Sequence, residues 1–220
     1  EEPIEYLHQH RKSIVDQREI GLDTLSYESA LKNAMREAPD VILIGEIRDR
    51  ETMKHAITYA ETGHLCLSTL HANNANQTLD RIINFFPDDA RHQLLIDLSM
   101  NLQAVISMRL VKGTDGKRLP AMELMLRTPY IADLIEKGEI HLLKDAMKQG
   151  LQLGMLTFDE SLFRLYAAGR ISYDEALLNA DSRTDLALRI RLGSSATVSG
   201  GLEIEKMERT EPQSDTGFIY

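Results

Sequence analysis

The chain has 220 residues, 43% hydrophobic and 27% charged, with a formal net charge of −9. That composition supports a buried core and excludes a disordered chain, a coiled coil or a collagen-like repeat. No run approaches the roughly 18 consecutive apolar residues of a membrane-spanning helix. One cysteine, Cys66, excludes an intrachain disulfide framework and a cysteine-rich zinc site, and the acidic balance weighs against broad binding to nucleic acid or anionic lipid.

The chain opens on Glu1-Glu2-Pro3-Ile4-Glu5, with no initiator Met, signal peptide or cleavage pattern. A piece of a longer chain is therefore expected. Residues 26–38 read as a helix: Tyr27, Ala30, Leu31, Ala34, Met35 and Ala38 lie on one 3.6-residue stripe, and Ser26 can cap it. After Pro39, the run Val41-Ile42-Leu43-Ile44 reads as a strand covered on both faces. Gly45-Glu46 follow at its carboxyl end, where open α/β sheets bind ligands.

The pattern repeats with a helix over 50–62 closed by Gly63, a second buried-type strand Leu65–Leu70, and His71 at its carboxyl end. A third helix is expected over 75–86. This alternation predicts an α/β layered domain with a largely parallel core. After Pro87 a helix to about 103 leads into two apolar runs around Gly113-Thr114-Asp115-Gly116, an antiparallel hairpin expected at the sheet edge. Helices are then expected over 130–137, 140–149, 157–168 and 173–180, with Thr157 or Asp159 as a cap for the third. The expected organisation is a core over 1–128, a helical subdomain over 129–192 and a disordered polar tail over 193–220.

Three groups of polar residues could carry chemistry: Glu1, Glu2 and Glu5; Gly45-Glu46; and His64 with His71. Carboxylates beside an imidazole at the carboxyl edge of a parallel sheet suit phosphate chemistry. Plainer readings stand beside this one. Glu46 can pair with Arg48, His64 can neighbour a helix C-cap, and His71 can be a satisfied loop histidine, while Cys66 and the methionines belong to the core.

Taken in order, Val15-Asp16-Gln17-Arg18-Glu19-Ile20-Gly21, Pro39 to Asp49 and Thr62 to His71 closely resemble the secretion-superfamily hexameric ATPases. The closest resemblance is to the twitching-motility (type IV pilus retraction) ATPases of the PilT/PilU family. Glu1 to Glu5 resembles that family's acidic Asp box, with Glu2 where Asp is usual. Gly45-Glu46 resembles its atypical Walker B, whose Glu polarises the attacking water, and His64 and His71 match its His box. Gly154 to Leu162 resembles its C-terminal helical region. The resemblance spans roughly residues 1–180.

It implies the C-terminal half of a RecA-like P-loop ATPase core, followed by the helical subdomain, within a homohexamer that uses ATP and Mg²⁺. The implied catalytic residues are Glu46, His71 and Glu2. Implied cofactor-binding residues are Glu1, Glu2, Glu5, Gly45, Glu46, His64, His71 and Arg18. Glu1, Glu2 and Glu46 would hold Mg²⁺ directly or through water, and Arg81 joins Arg18 as a candidate inter-subunit or phosphate contact. Arg81 can equally pair with Asp80 or Asp88. The implied location is the cytoplasm, peripheral at the inner-membrane face, with the pilus platform protein and a related retraction ATPase as partners.

Two departures matter. No G-x-x-x-x-G-K-[ST] loop occurs; Gly113 to Arg118 has the wrong spacing. The chain as given is therefore expected to bind ATP poorly. Where PilT-type ATPases carry Ala-Ile-Arg-Asn-Leu-Ile-Arg-Glu, this chain has Tyr130-Ile131-Ala132-Asp133-Leu134-Ile135-Glu136-Lys137, which keeps the apolar spine and loses both arginines. That change and the polar tail point to the PilU branch. Two alternatives are an accessory module that docks on another retraction ATPase, and a nucleic-acid translocase, which the charge of −9 disfavours.

Overall fold

The structure, a computed structural model, describes residues 1–192, so the expected tail over 193–220 lies outside the described residues. The elements run α1 (Tyr27–Ala34), β1 (Val41–Ile44), α2 (Arg50–Glu61), β2 (Leu65–Ser68), α3 (Ala75–Asn84), α4 (Asp88–Asn101), β3 (Ala104–Lys112), β4 (Arg118–Leu126), α5 (Pro129–Glu136), α6 (Leu143–Gln149), α7 (Phe158–Ala167) and α8 (Tyr173–Asn179). Residues 183–192 form a further helical run that the sequence reading missed.

Local chemistry explains where the helices start. Ser26, Asp49, Asn74, Thr128 and Ser172 each accept a hydrogen bond from a first-turn amide of α1, α2, α3, α5 and α8. Such caps contribute about 0.5–2 kcal/mol each. Asp159 is not a cap: it lies inside α7, and its carboxylate accepts from the Asp181 and Ser182 amides at 2.8 and 3.2 Å. Gly63 closes α2 at φ +92°, where a Cβ would be strained.

The chain divides into two compact units: residues 1–109 with 122–157, and 110–121 with the segment from Phe158 onward. This differs from the boundary expected at residue 128. Ile131, Leu134 and Ile135 of α5 and Leu143 and Met147 of α6 share one core cluster with Leu94 and Leu98 of α4 and with Ile42 and Ile44 of β1. Their apolar faces therefore tie α5 and α6 to the first unit. A helical composition identifies these segments as helices but does not say against which core they pack.

In the first unit β1 and β2 pair in parallel, from Val41 opposite Leu65 to Ile44 opposite Ser68. One face of this pair joins the core. On the other face Val41, Leu43, Leu65 and Leu67 are about half exposed, so the strands are not covered on both faces as expected. Four aliphatic residues in a row read as a doubly covered strand whether or not the same chain supplies the cover. Burial pushes the Tyr59 phenol up to about 12 and the Cys66 thiol up to about 11, so both stay neutral and Cys66 is no nucleophile near neutral pH. The β3–β4 hairpin forms its own two-stranded sheet and does not extend the β1–β2 edge. Its turn residues predict the hairpin but carry no information on its lateral neighbour.

The second unit has its own core of Val111, Ala121, Phe158, Leu162, Ile171, Ala176, Leu186 and Ile190. Glu160 is buried there, bonded by Arg164 Nε at 2.6 Å and paired with Arg189. Burial acts to raise its pKa, but the hydrogen bonds from Arg164 and Arg189 outweigh it and leave the carboxyl lowered. The resulting stabilisation is complete above the ordinary carboxylate range and is lost as pH falls through the lowered folded value. Glu160→Ala should destabilise this unit by about 1–3 kcal/mol, the loss of a charged hydrogen-bonded group. In thermal unfolding at neutral pH and near pH 3, the mutant–wild-type gap should narrow on acidification; an unchanged gap contradicts the ion-pair reading.

Candidate active site

Parallel pairing in register brings the carboxyl ends of β1 and β2 to one edge. The chain leaves β1 through Gly45-Glu46 and β2 through residues 69–71. The two exits are stitched together: the Ile47 amide donates to the Thr69 carbonyl at 3.0 Å, and the Thr69 hydroxyl donates to the Gly45 carbonyl. A Cβ on Gly45 would meet Glu1 only at ordinary contact distance, 3.5 Å from its Cγ, so Gly45 forms the floor on which Glu1 rests.

Glu46 is the centre of the site. Arg48 Nε donates to its Oε2 at 2.6 Å, and His71 Nε2 lies 3.2 Å from its Oε1. Its side chain is 17% exposed, against 81% for His71. The Arg48 hydrogen bond, helped by the charges of Arg48, His71 and Arg81, holds the Glu46 carboxyl below the usual carboxylate range against a smaller opposing effect of burial. Glu46 thus pairs with Arg48, as the plainer reading of the sequence expects, and also faces His71.

The acidic opening is fixed beside this edge. The Glu1 nitrogen donates to the Arg18 carbonyl and the Ile20 amide to the Glu1 carbonyl, both at 3.0 Å. Gln17 Nε2 donates to Glu1 Oε1 at 2.8 Å, and Glu19 Oε2 accepts from the Ile4 amide at 2.9 Å. Glu2 lies 3.6 Å from Arg48. Tyr27, assigned from the sequence to the apolar stripe of α1, belongs to this cluster: its pKa is raised by burial first, then by Glu2, Glu46 and Glu1, with Arg48 opposing. Its position at the first turn of α1 was the one signal available.

Glu5, Arg18 and His64 lie elsewhere, whereas Arg81 is near His71. Glu5 is exposed and makes none of these contacts. Arg18 pairs with Glu37 and donates to the Ala30 carbonyl at 3.4 Å, directed at α1 rather than at the acidic cluster. His64 Nδ1 lies 3.0 Å from the Thr62 hydroxyl and 3.3 Å from the Tyr59 carbonyl, beside the end of α2. It precedes β2, at the opposite end of that strand from His71. Arg81, on α3, lines a cavity of about 260 Å³ with His71, Ala72, Gln77, Asp80 and Asn84.

The set does not fit Mg²⁺ directly. Among the described residues no group of three His, Cys, Asp or Glu is disposed to hold a metal ion. Both Glu46 oxygens are engaged by Arg48 and His71, and Glu1 Oε1 by Gln17. Of the expected ways for Glu1, Glu2 and Glu46 to hold Mg²⁺, directly or through water, this geometry does not prepare the direct one. The carboxylate–imidazole pair instead fits a water that must be oriented and deprotonated.

The family model for type II/IV secretion system proteins matches residues 1–135. The chain belongs to that family. It is 56% identical over 212 residues to the type IV pilus ATPase PilU of Pseudomonas aeruginosa, covering 93% of this chain and 56% of that protein. It is 44% identical over 176 residues to PilT, the type IV pilus retraction ATPase of the same organism, covering 80% and 51%. The crystal structure of the pilus retraction motor PilT with bound ADP superposes with a TM-score of 0.76 at 40% identity, over 84% of this chain and 52% of that one. The chain spans about half the length of the curated relatives it matches.

If Arg48 sets the charge state of Glu46, Arg48→Ala should move the Glu46 carboxyl back up toward the ordinary glutamate range. Carbon-13 NMR of the side-chain carboxyl against pH reads this directly. An unchanged titration contradicts the assignment.

Proposed function

We propose that this chain supplies the water-activating part of an ATPase motor that drives type IV pilus retraction. The observation that carries the proposal is Glu46 at the carboxyl edge of β1–β2, held by Arg48 and facing His71 at 3.2 Å. Similarity to PilU and to PilT supports the reading. Glu46 orients a water and accepts its proton as the water oxygen bonds to the γ-phosphorus of ATP and the bond to the β-bridging oxygen breaks, releasing ADP and phosphate. His71, highly exposed at the rim, faces the departing phosphate. Glu2 acts through Arg48, and Glu1 and Gly45 fix the floor. Glu46, with its lowered pKa, stays ionised through the neutral range.

These residues provide neither a phosphate-cradling loop nor a metal site. In this proposal both come from the part of the relatives' length that the chain does not span, as do the remaining contacts to ATP. Assembly follows the same reading: a homohexamer, working with a related retraction ATPase against the inner-membrane pilus platform protein, at the cytoplasmic face. No helix among the described residues is long and apolar enough to cross a membrane.

Glu46→Gln in the full-length protein keeps the shape of the side chain and removes the base. ATP turnover should fall by about 10²–10⁴-fold, the usual contribution of general-base catalysis, while nucleotide binding persists and retraction stops. Undiminished turnover would refute the proposal.

A further inference from the structure

His71 is 81% exposed, so little packing holds its ring within 3.2 Å of Glu46. Its placement must come from the backbone of the loop over residues 69–74. One end of that loop is fixed at Thr69 by the bonds to Gly45 and Ile47. The other end enters α3, whose first residue, Ala75, is buried.

There the Ala75 amide donates to Glu123 Oε1 at 2.7 Å. Glu123 belongs to β4 and is only 3% exposed. Burying a carboxylate costs several kcal/mol unless partners compensate, and the positive end of a helix macrodipole favours a negative group at this position. Asn74 caps the same turn by accepting from the Gln77 amide at 2.9 Å, and Asn76 Nδ2 donates to the Ile140 carbonyl at 2.8 Å. Glu123 is the acidic group that ties this turn to the hairpin.

We propose that Glu123 is a positioning residue for the candidate active site, clamping the α3 end of the loop so that His71 faces Glu46. It touches no reacting atom and acts through the Ala75 amide. The inference rests on the ATPase reading of Glu46 and His71 and adds a residue that no motif of the sequence marks.

The test uses the full-length protein with Glu123→Ala, Glu123→Gln and, as a reference, Glu46→Gln. Steady-state ATP hydrolysis is measured together with hydrogen–deuterium exchange of the peptide spanning residues 69–77. Displacing a catalytic group by about 1 Å can cost 10²-fold. Glu123→Ala should therefore lower kcat by about that factor with KM for ATP unchanged, and should raise exchange in 69–77 alone. Glu123→Gln retains an acceptor oxygen for Ala75 and should restore kcat to within about threefold, with exchange as in the wild type. Wild-type kcat in Glu123→Ala overturns the proposal. So does a Glu123→Gln variant as slow as Glu123→Ala, or accelerated exchange across the whole first unit, because either indicates a role in charge or general stability. If Glu46→Gln keeps full turnover, the ATPase reading fails instead, and the exchange of 69–77 still decides whether Glu123 is the clamp.

Discussion

The in-register parallel pairing of Val41–Ile44 with Leu65–Ser68 is the constraint on which the rest depends. Each strand ends in a short polar exit, and only parallel pairing delivers both exits to the same edge. An antiparallel arrangement would put Glu46 and His71 at opposite ends of the strands. The bonds from Ile47 to Thr69 and from Thr69 to Gly45 then fix the separation, leaving a carboxylate and an imidazole in contact distance. The helices that follow, α2 and α3, are capped by Asp49 and Asn74, so both exits are tethered at each end.

Charge at this edge is arranged around Arg48. The guanidinium bonds to Glu46, lies near Glu2 and opposes the acidic groups acting on Tyr27. Without it, the carboxylates of this edge would lack the cation that bonds Glu46 and lies near Glu2. The same charge keeps Glu46 ionised while limiting its basicity. The carboxylate therefore suits holding and orienting water, with proton transfer coupled to bond formation at phosphorus. An acidic cluster with so few cations does not attract a polyphosphate on its own, which agrees with the absence of a phosphate-cradling loop from the sequence.

Much of this was legible in the residues. Proline, glycine and cap residues bounded the helices, and a short aliphatic run ending in Gly-Glu marked both a strand and its functional end. Glu46, Arg48 and His71 were visible because each lies within a few residues of a strand. What escaped depended on distant partners. Glu123 meets Ala75 across 48 residues of sequence, and Glu1 is held by Gln17, Arg18 and Ile20. His64 shares a motif with His71 but sits before the strand rather than after it, a distinction that strand direction decides. The half-exposed face of Val41, Leu43, Leu65 and Leu67 could not be foreseen either, because hydrophobicity records that a face is to be covered and not by what.

The most direct test of the central claim is a structure of the full-length protein with ADP, Mg²⁺ and a fluoride mimic of the transferring phosphoryl group. The prediction is a single water between the Glu46 carboxylate and the mimic, about 2.6–3.2 Å from the carboxylate, with His71 turned toward the mimic. Nucleotide bound away from the carboxyl edge of β1–β2, or Glu46 still closed by Arg48 with no water before it, would contradict it.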